Sequence, residues 1–360
     1  MSKRSIFFVL VLLISVLIIT ACQSDVSPAE EPVAEESAVE ETATLAVSEW
    51  GYNADGAEEV WVKPLEEMYN VEIIFETGNN ADRLSKLESM GSASEIDVIH
   101  LTENFALRAI ELGLLQKLDM SRLENVDELY EWAKNPDGEG YCIASSINSY
   151  PILYRTDKVD PPPTSWKDLL REDLKGHVSM TDITSTFGPA QVVMMSLAHG
   201  GEVDNYELGW EKLPLWVDNT YAVAGYELVS LVQEGEIWMT PYGSYMIGAL
   251  SEIDLPLELG VILDEGVPAA RNVLCIVAGT DQEELAYAYI NHVTAEESQT
   301  AMGMGLIESP VHKAVSLPDD IGSFLTYGEE YIDALIFPDF PVINPLTEEW
   351  FDLWNEIVVE

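Results

Sequence analysis

Apolar and polar positions along the chain follow two periods. Residues 44–47, 71–75 (VEIIF) and 96–101 (IDVIHL) are short apolar runs bounded by polar or glycine-containing turns, which predicts strands. Between them Ala57, Val60, Trp61, Leu65 and Met68 recur at helical spacing, as do Leu84, Leu87 and Met90. A further helix is predicted over 103–112, ended by Gly113. Alternation of strand and helix predicts an α/β fold with an open, mostly parallel sheet and helices on both faces. Three prolines at 161–163 and the helix start Ser165-Trp166 then open a second unit. It is predicted to hold a strand at 177–180, helices at 189–199 and 223–233, strands at 237–239 and 273–277, and a helix at 282–292. Trp350, Phe351, Leu353, Trp354 and Ile357 mark a closing amphipathic helix. No internal repeat is evident in the sequence.

Ligands of such sheets sit beyond the C-terminal strand ends. The stretch SEWGYNADG (48–56) puts two rings, Trp50 and Tyr52, at the tip of the first strand, and Thr102, Glu103 and Asn104 follow the third. These residues are candidate ligand contacts.

The N-terminus follows another pattern. Lys3 and Arg4 precede an almost unbroken apolar run over 6–19. That run has the length of a secretory signal and is short for a membrane span. It ends in LIITAC (17–22), similar to a bacterial lipobox, so 1–21 read as a lipoprotein signal peptide and Cys22 as the lipidated residue. An ordinary signal peptide with an incidental cysteine is the alternative. Residues 23–43 lack aromatic and basic side chains. Such a stretch cannot bury enough surface to offset its ordering entropy, so 22–43 are expected to form a lipid-anchored, disordered acidic tether.

Charge narrows the partners. The chain has 64 acidic and 17 basic residues, a formal charge of −47. Such a surface repels nucleic acid and anionic lipid. The acids are spread along the whole chain, which favours a solvated surface over a cation-attracting field. After Cys22 only Cys142 and Cys275 remain, each in an apolar run. An exported pair could form a disulfide, but nothing in the sequence places them within bonding distance, and two buried free thiols are the favoured reading. GxSxG, HExxH and P-loop motifs are absent, as is GxGxxG in strand–turn–helix context. The five histidines show no metal-ligand spacing. No enzyme, metal or cofactor is expected.

Several segments together resemble the substrate-binding proteins of ABC importers, specifically the spermidine/putrescine group and its iron, thiamine and phosphonate relatives. They are residues 45–52 with the aromatic tip, EIDVIHLTEN (95–104), LGLLQKLDMSRLENV (112–126), YPILYRTDKV (150–159), TSWKDLLREDLKGHVSMTD (164–182), EGEIWMTPYGSYM (234–246) and AYAYINHVTAEESQTAMG (286–303). The resemblance implies a two-lobe periplasmic-binding-protein-like fold of type II, with a hinge between lobes. On this reading 44–148 plus 241–290 form lobe one, and 149–240 plus 291–360 form lobe two. Anchor, tether and folded body imply a protein, expected as a monomer, lipid-anchored at the outer face of the cell membrane or in the periplasm. A small solute would bind in the cleft and pass to a permease and ATPase.

A polyamine would need rings for its methylene chain and ammonium groups, and carboxylates for its ends. Trp50, Tyr52 and Tyr242 offer rings, and Glu103 and Asp182 offer acids. Asp182 stands where the resembled group has an amine-binding acid. Thr102, Asn104, Thr184 and Ser185 offer hydrogen bonds. Other readings stay open. Trp50 and Tyr52 could pack the lobe. Asp182 and Glu103 could cap their own helices. Tyr245 and Trp238 read as core. PYGSYM (241–246) has no acid near Tyr242, and DITSTFG (182–188) is rich in hydroxyls. That chemistry also suits an anion such as a phosphonate, and thiamine, a sugar, or a surface enzyme or adhesin are further alternatives.

Overall fold

The computed structural model describes residues 42–51, 54–202, 204–225, 227–246, 254–261 and 263–359. The signal peptide, Cys22, the tether as far as residue 41, and Tyr52 lie outside the described residues.

The first sheet grows from the predicted runs. Strand β1 (Ala43–Glu49) pairs in parallel with β2 (Val71–Thr77) over seven residues, Ala43↔Val71 to Glu49↔Thr77. On its other side it pairs in parallel with β3 (Val98–Thr102), which is buried throughout. Burial on both faces is why β3 reads as a continuous apolar run. Helix α1 (Lys63–Tyr69) links β1 to β2, α2 (Asn80–Met90) links β2 to β3, and α3 (Glu103–Glu111) follows β3. Strand β4 (Cys142–Ser149) then leaves this lobe.

The chain crosses at Tyr150 and Pro151 into β5 (Ile152–Arg155). The second sheet has the order β7-β6-β8-β5-β9. Its strands are β6 (Val178–Met180), β7 (Thr220–Val223), β8 (Met239–Pro241) and β9 (Leu257–Gly260). Helix α4 (Gly188–Ala198) follows β6 and is buried almost all round, as expected of a helix with no polar stripe. It packs with α5 (Glu207–Asn219) around Trp166 and Trp216. Val223, expected to begin a helix, instead ends the strand Thr220–Val223, which has alternate exposure, and helix α6 (Leu228–Glu234) starts later. Tyr221 and Val223 are β-favouring side chains at period two, which outweighs the helical reading.

Strand β10 (Val267–Ile276) returns to the first sheet, antiparallel to both β3 and β4. Helices α7 (Glu283–Thr294) and α8 (Glu296–Met304) bury Tyr289, Ile290, Val293 and Met302 in the first core. Strand β11 (Leu335–Ile336) flanks β10. The chain then crosses a third time, and α9 (Thr347–Trp354) sets Trp350 and Trp354 into the second core.

The lobe boundaries therefore differ from the sequence expectation. Strand β9, placed in lobe one by sequence, pairs with β5 in the second sheet. Helices α7 and α8 carry lobe one well past residue 290. Edge pairing and third-crossing contacts are long-range, and apolar periodicity within a segment does not reveal them.

The free-thiol reading is corrected as well. Cys142 and Cys275 are register partners on β4 and β10, with Cα atoms 4.5 Å apart, and form a disulfide. Their separation of 133 residues hides this adjacency in the sequence.

Candidate functional site

The C-terminal ends of β1, β3 and β6 turn toward one cleft, where a cavity of about 410 Å³ opens. Trp50, Gly78 to Ala81, Thr102, Phe105, Asn148, Ala270 and Asn272 wall it from the first lobe, and Thr181 and Thr184 to Phe187 from the second. Tyr150, on the first crossing, stacks on Phe187 with ring centres 4.8 Å apart and completes the wall. Among the described residues, none of its lining side chains is Asp, Glu, Lys, Arg or His. Rings, hydroxyls and carboxamides supply its chemistry.

Three helices of eight residues or more begin at this cleft: α2 after Gly78-Asn79, α3 after Thr102, and α4 after Phe187. Their first-turn N–H groups and aligned peptide dipoles favour negative charge.

Four predicted contacts reach the cavity wall: Trp50, Thr102, Thr184 and Ser185. Trp50 follows β1. Its indole N–H donates to Asn80 Oδ1 at 3.1 Å, the Arg83 guanidinium lies 5.1 Å from its ring centre, and His100 meets it edge-on at 6.0 Å. Burial, helped by Arg83, pushes the His100 imidazole down to about 3, so it stays neutral, with Nε2 2.9 Å from the Tyr289 hydroxyl. Asn104 sits one step behind the wall. Its Oδ1 accepts from Thr102 Oγ1 at 2.7 Å, and its carbonyl accepts from Asn344 Nδ2 at 3.2 Å.

The two acids and Tyr242 go elsewhere. Asp182 is exposed, and its carboxylate accepts the Thr184 N–H at 2.8 Å within its own turn. Glu103 turns away from the cavity into a buried ion pair with Arg271, whose guanidinium lies 3.9 Å from the Phe337 ring centre. Burial pushes its carboxyl up to about 6 despite Arg271. Tyr242 is 1% exposed and belongs to a core cluster with Leu153, Leu228 and Ile237. In each case the local turn or core claims the side chain that sequence position made a candidate.

Sequence reasoning missed Asn79, Asn80, Phe105, Asn148, Tyr150, Phe187 and Asn272. A signal for the first two was present: GNN follows β2, the remaining strand tip of the first parallel set. A larger cavity of about 760 Å³ lies between β9 and residues 322–331. Five leucines and Phe324 line it beside Glu258, Glu329 and Glu330. It draws on no parallel-strand tips, where ligands of such sheets bind, so the smaller cavity is the site candidate. Among the described residues, no group of three or more His, Cys, Asp or Glu could hold a metal ion, and no helix is long and apolar enough to cross a membrane.

A sequence profile of the bacterial extracellular solute-binding proteins matches residues 60–323. The probable ABC transporter periplasmic-binding protein y4fP of Sinorhizobium fredii is 25% identical over 239 residues, 61% of this chain. The match spans 64% of that relative's length. A crystal structure of an ABC transporter protein from Clostridium perfringens superposes with a TM-score of 0.79 at 31% identity, covering 87% of this chain and 99% of that one. A spermidine/putrescine ABC transporter substrate-binding protein from Streptococcus pneumoniae shares the fold at TM-score 0.74 and 17% identity, covering 88% of this chain and 99% of that one.

Proposed function

The chain belongs to the bacterial extracellular solute-binding proteins, and on that premise we propose that it captures a small polar solute between its lobes and passes it to the permease and ATPase of an ABC importer. It acts by binding and not as an enzyme, as a monomer exported from the cell and held at the membrane by lipid on Cys22 through the acidic stretch 22–42, β1 taking over at Ala43.

One observation carries the choice of solute. The cavity is walled by hydroxyls, carboxamides and rings, with no charged side chain among its described lining residues, where three helix N-termini converge. This favours a solute rich in hydroxyls or bearing an anionic group such as a phosphonate or phosphate. Neutral hydrogen-bonding groups discriminate such solutes by leaving buried partners unpaired when the wrong one enters.

A polyamine is the second reading, supported by the rings of Trp50, Phe105, Tyr150 and Phe187, which can hold a methylene chain and attract ammonium groups. The position of Asp182 weakens it, because that carboxylate is committed to its own turn.

The test is a thermal-shift titration of the folded body against spermidine, putrescine, an alkylphosphonate, glycerol 3-phosphate, thiamine and a neutral hexose, at low and high salt. A ligand binding only the folded state adds about 2.7 kcal/mol at a hundredfold excess over Kd. A saturable, salt-resistant shift with the phosphonate, the phosphate or the hexose supports the first reading. A salt-resistant shift with a polyamine alone overturns it in favour of the second. A polyamine shift that disappears in salt reports only the acidic surface.

A further inference from the structure

We infer that Asn80 is a positioning residue of the cleft, whose carboxamide sets the plane of the Trp50 ring that the solute meets and locks that ring to the end of β3. The inference rests on the reading of the cleft given above. Asn80 is only 8% exposed, in the first turn of α2. Its Oδ1 receives three donors from three segments: the Trp50 indole N–H at 3.1 Å, the Arg83 guanidinium at 3.1 Å and the Thr102 backbone N–H at 3.3 Å. Its Nδ2 donates to Thr102 Oγ1 at 3.2 Å, and that hydroxyl spends its own proton on Asn104 Oδ1 at 2.7 Å.

These partners fix the amide's orientation. A flipped carboxamide would put its NH2 against three donors. One side chain therefore joins the β1 tip, the start of α2 and the end of β3. β1 and β3 are neighbouring parallel strands, with β2 on the far side of β1, and the sheet changes winding direction between them. That switch point is where ligands of α/β sheets bind. The Thr102 hydroxyl, already accepting from Asn80 and donating to Asn104, has only a lone pair left for the solute. It therefore selects for a donor on the solute at that point.

Substitutions separate positioning from simple stability. Asp keeps an acceptor for Trp50, Arg83 and the Thr102 N–H. Leu has a similar volume and no acceptor, and removes the oxygen that Trp50, Arg83 and the Thr102 N–H share. In the full chain with 15N-labelled tryptophan, the Trp50 indole resonance is assigned by its loss in Trp50→Phe. The Trp216 indole, which donates to Ser179 O at 3.2 Å in the other lobe, serves as internal control. In Asn80→Leu the Trp50 indole is expected to shift and to exchange its hydrogen at least tenfold faster, with Trp216 unchanged. In Asn80→Asp it is expected to stay protected. If Asn80→Leu fails to fold, judged by loss of the Trp216 signal, Asn80→Ser removes the reach of the acceptor with less disturbance and carries the same expectation. A Trp50 resonance indifferent to Leu or Ser at 80 overturns the inference.

The same variants are titrated with glycerol 3-phosphate and putrescine. Whichever probe binds the parent is expected to bind Asn80→Leu, or Asn80→Ser in its place, at least tenfold more weakly, with Asn80→Asp nearer the parent. Affinity unchanged while the indole moves would leave Asn80 a structural residue only and overturn its role in binding. If neither probe binds the parent, these two solutes are excluded on their own arm and the indole result still decides the placement of the ring.

Discussion

In the first lobe β2, β1 and β3 run parallel, β10 returns antiparallel and β4 flanks it. In the second lobe β7, β6, β8, β5 and β9 repeat that order and those directions. The means of holding the order differ. The first sheet has seven-pair ladders between β1 and β2 and, with a shift at Asn272/Val273, between β4 and β10, which a disulfide also joins. In the second, β6 meets β8 at Val178↔Met239 and β7 through a shifted register. That lobe relies on α4, wrapped by α5, Trp166 and Trp216. The polar groups behind the cleft follow this contrast. Asn80, Arg83 and Thr102 form a buried hydrogen-bonded network in lobe one, whereas lobe two presents the turn 181–187, whose Thr184 is exposed. One half of the site is pre-organised, and the other is a hydroxyl-bearing turn carried on a helical core. Pre-organisation on one side lowers the ordering cost of binding.

The largest expected effect tests the sheet-held lobe. Changing Cys142 and Cys275 together to alanine removes a cross-link over 133 residues. Chain entropy sets that loss at about 5 kcal/mol as an upper figure. Guanidinium unfolding followed by lobe-resolved hydrogen exchange should show the loss concentrated in β3, β4 and β10. A loss below about 1 kcal/mol would mean that the strand ladder alone holds the lobe.

The counterpart in the second lobe is Trp216→Ala. Trp216 is fully buried, packs edge-on against Trp166 at 6.3 Å, and ties α5 to β6 through Ser179 O. Truncating such a side chain costs about 3–5 kcal/mol. Hydrogen exchange should accelerate in α4, α5 and β6 while the amides of β1 to β3 stay protected. Uniform acceleration in both lobes would show a single cooperative unit and dissolve the contrast.

What was legible in the sequence follows from which forces are local. The runs of β1, β2 and β3 and the aromatic tip at Trp50 are written in short-range periodicity, so the first half-sheet and its tips could be read directly. Thr184 and Ser185 were legible because hydroxyls crowd one turn. The disulfide, the membership of β9 and the repeated strand order were not, because they depend on pairings between segments far apart in the chain. Nor could the sequence say which way a tip residue points. Asp182 and Glu103 occupy the expected places, but a carboxylate there can serve the solute, its own turn or a buried cation. Asn80 was not singled out because the three donors on its carboxamide come from the β1 tip, α2 and the end of β3, which no local pattern joins.

The third strand of each sheet ends on a side chain read as a ligand contact, Glu103 after β3 and Tyr242 after β8, and both turn inward. Glu103 can report this through pH. Glu103 takes up its proton near 6 in the folded protein, against an ordinary value of 4.5. The folded state therefore binds more protons than the unfolded state between those values. The group's contribution is fully present below 4.5 and is lost as the pH rises through 6. The shift corresponds to on the order of 2 kcal/mol. Glu103→Gln removes the titration, so the variant should gain on the parent by that amount between pH 4.5 and 6, measured as the difference in unfolding free energy. The other carboxylates cancel in that difference. If the gap between variant and parent is flat across the window, then Glu103 is solvated or paired more closely than its burial beside Arg271 implies. If it is solvated, the acid at the β3 tip is free to face the cleft and the amine reading of the solute regains its carboxylate; if it is paired more tightly with Arg271, that reading stays without it.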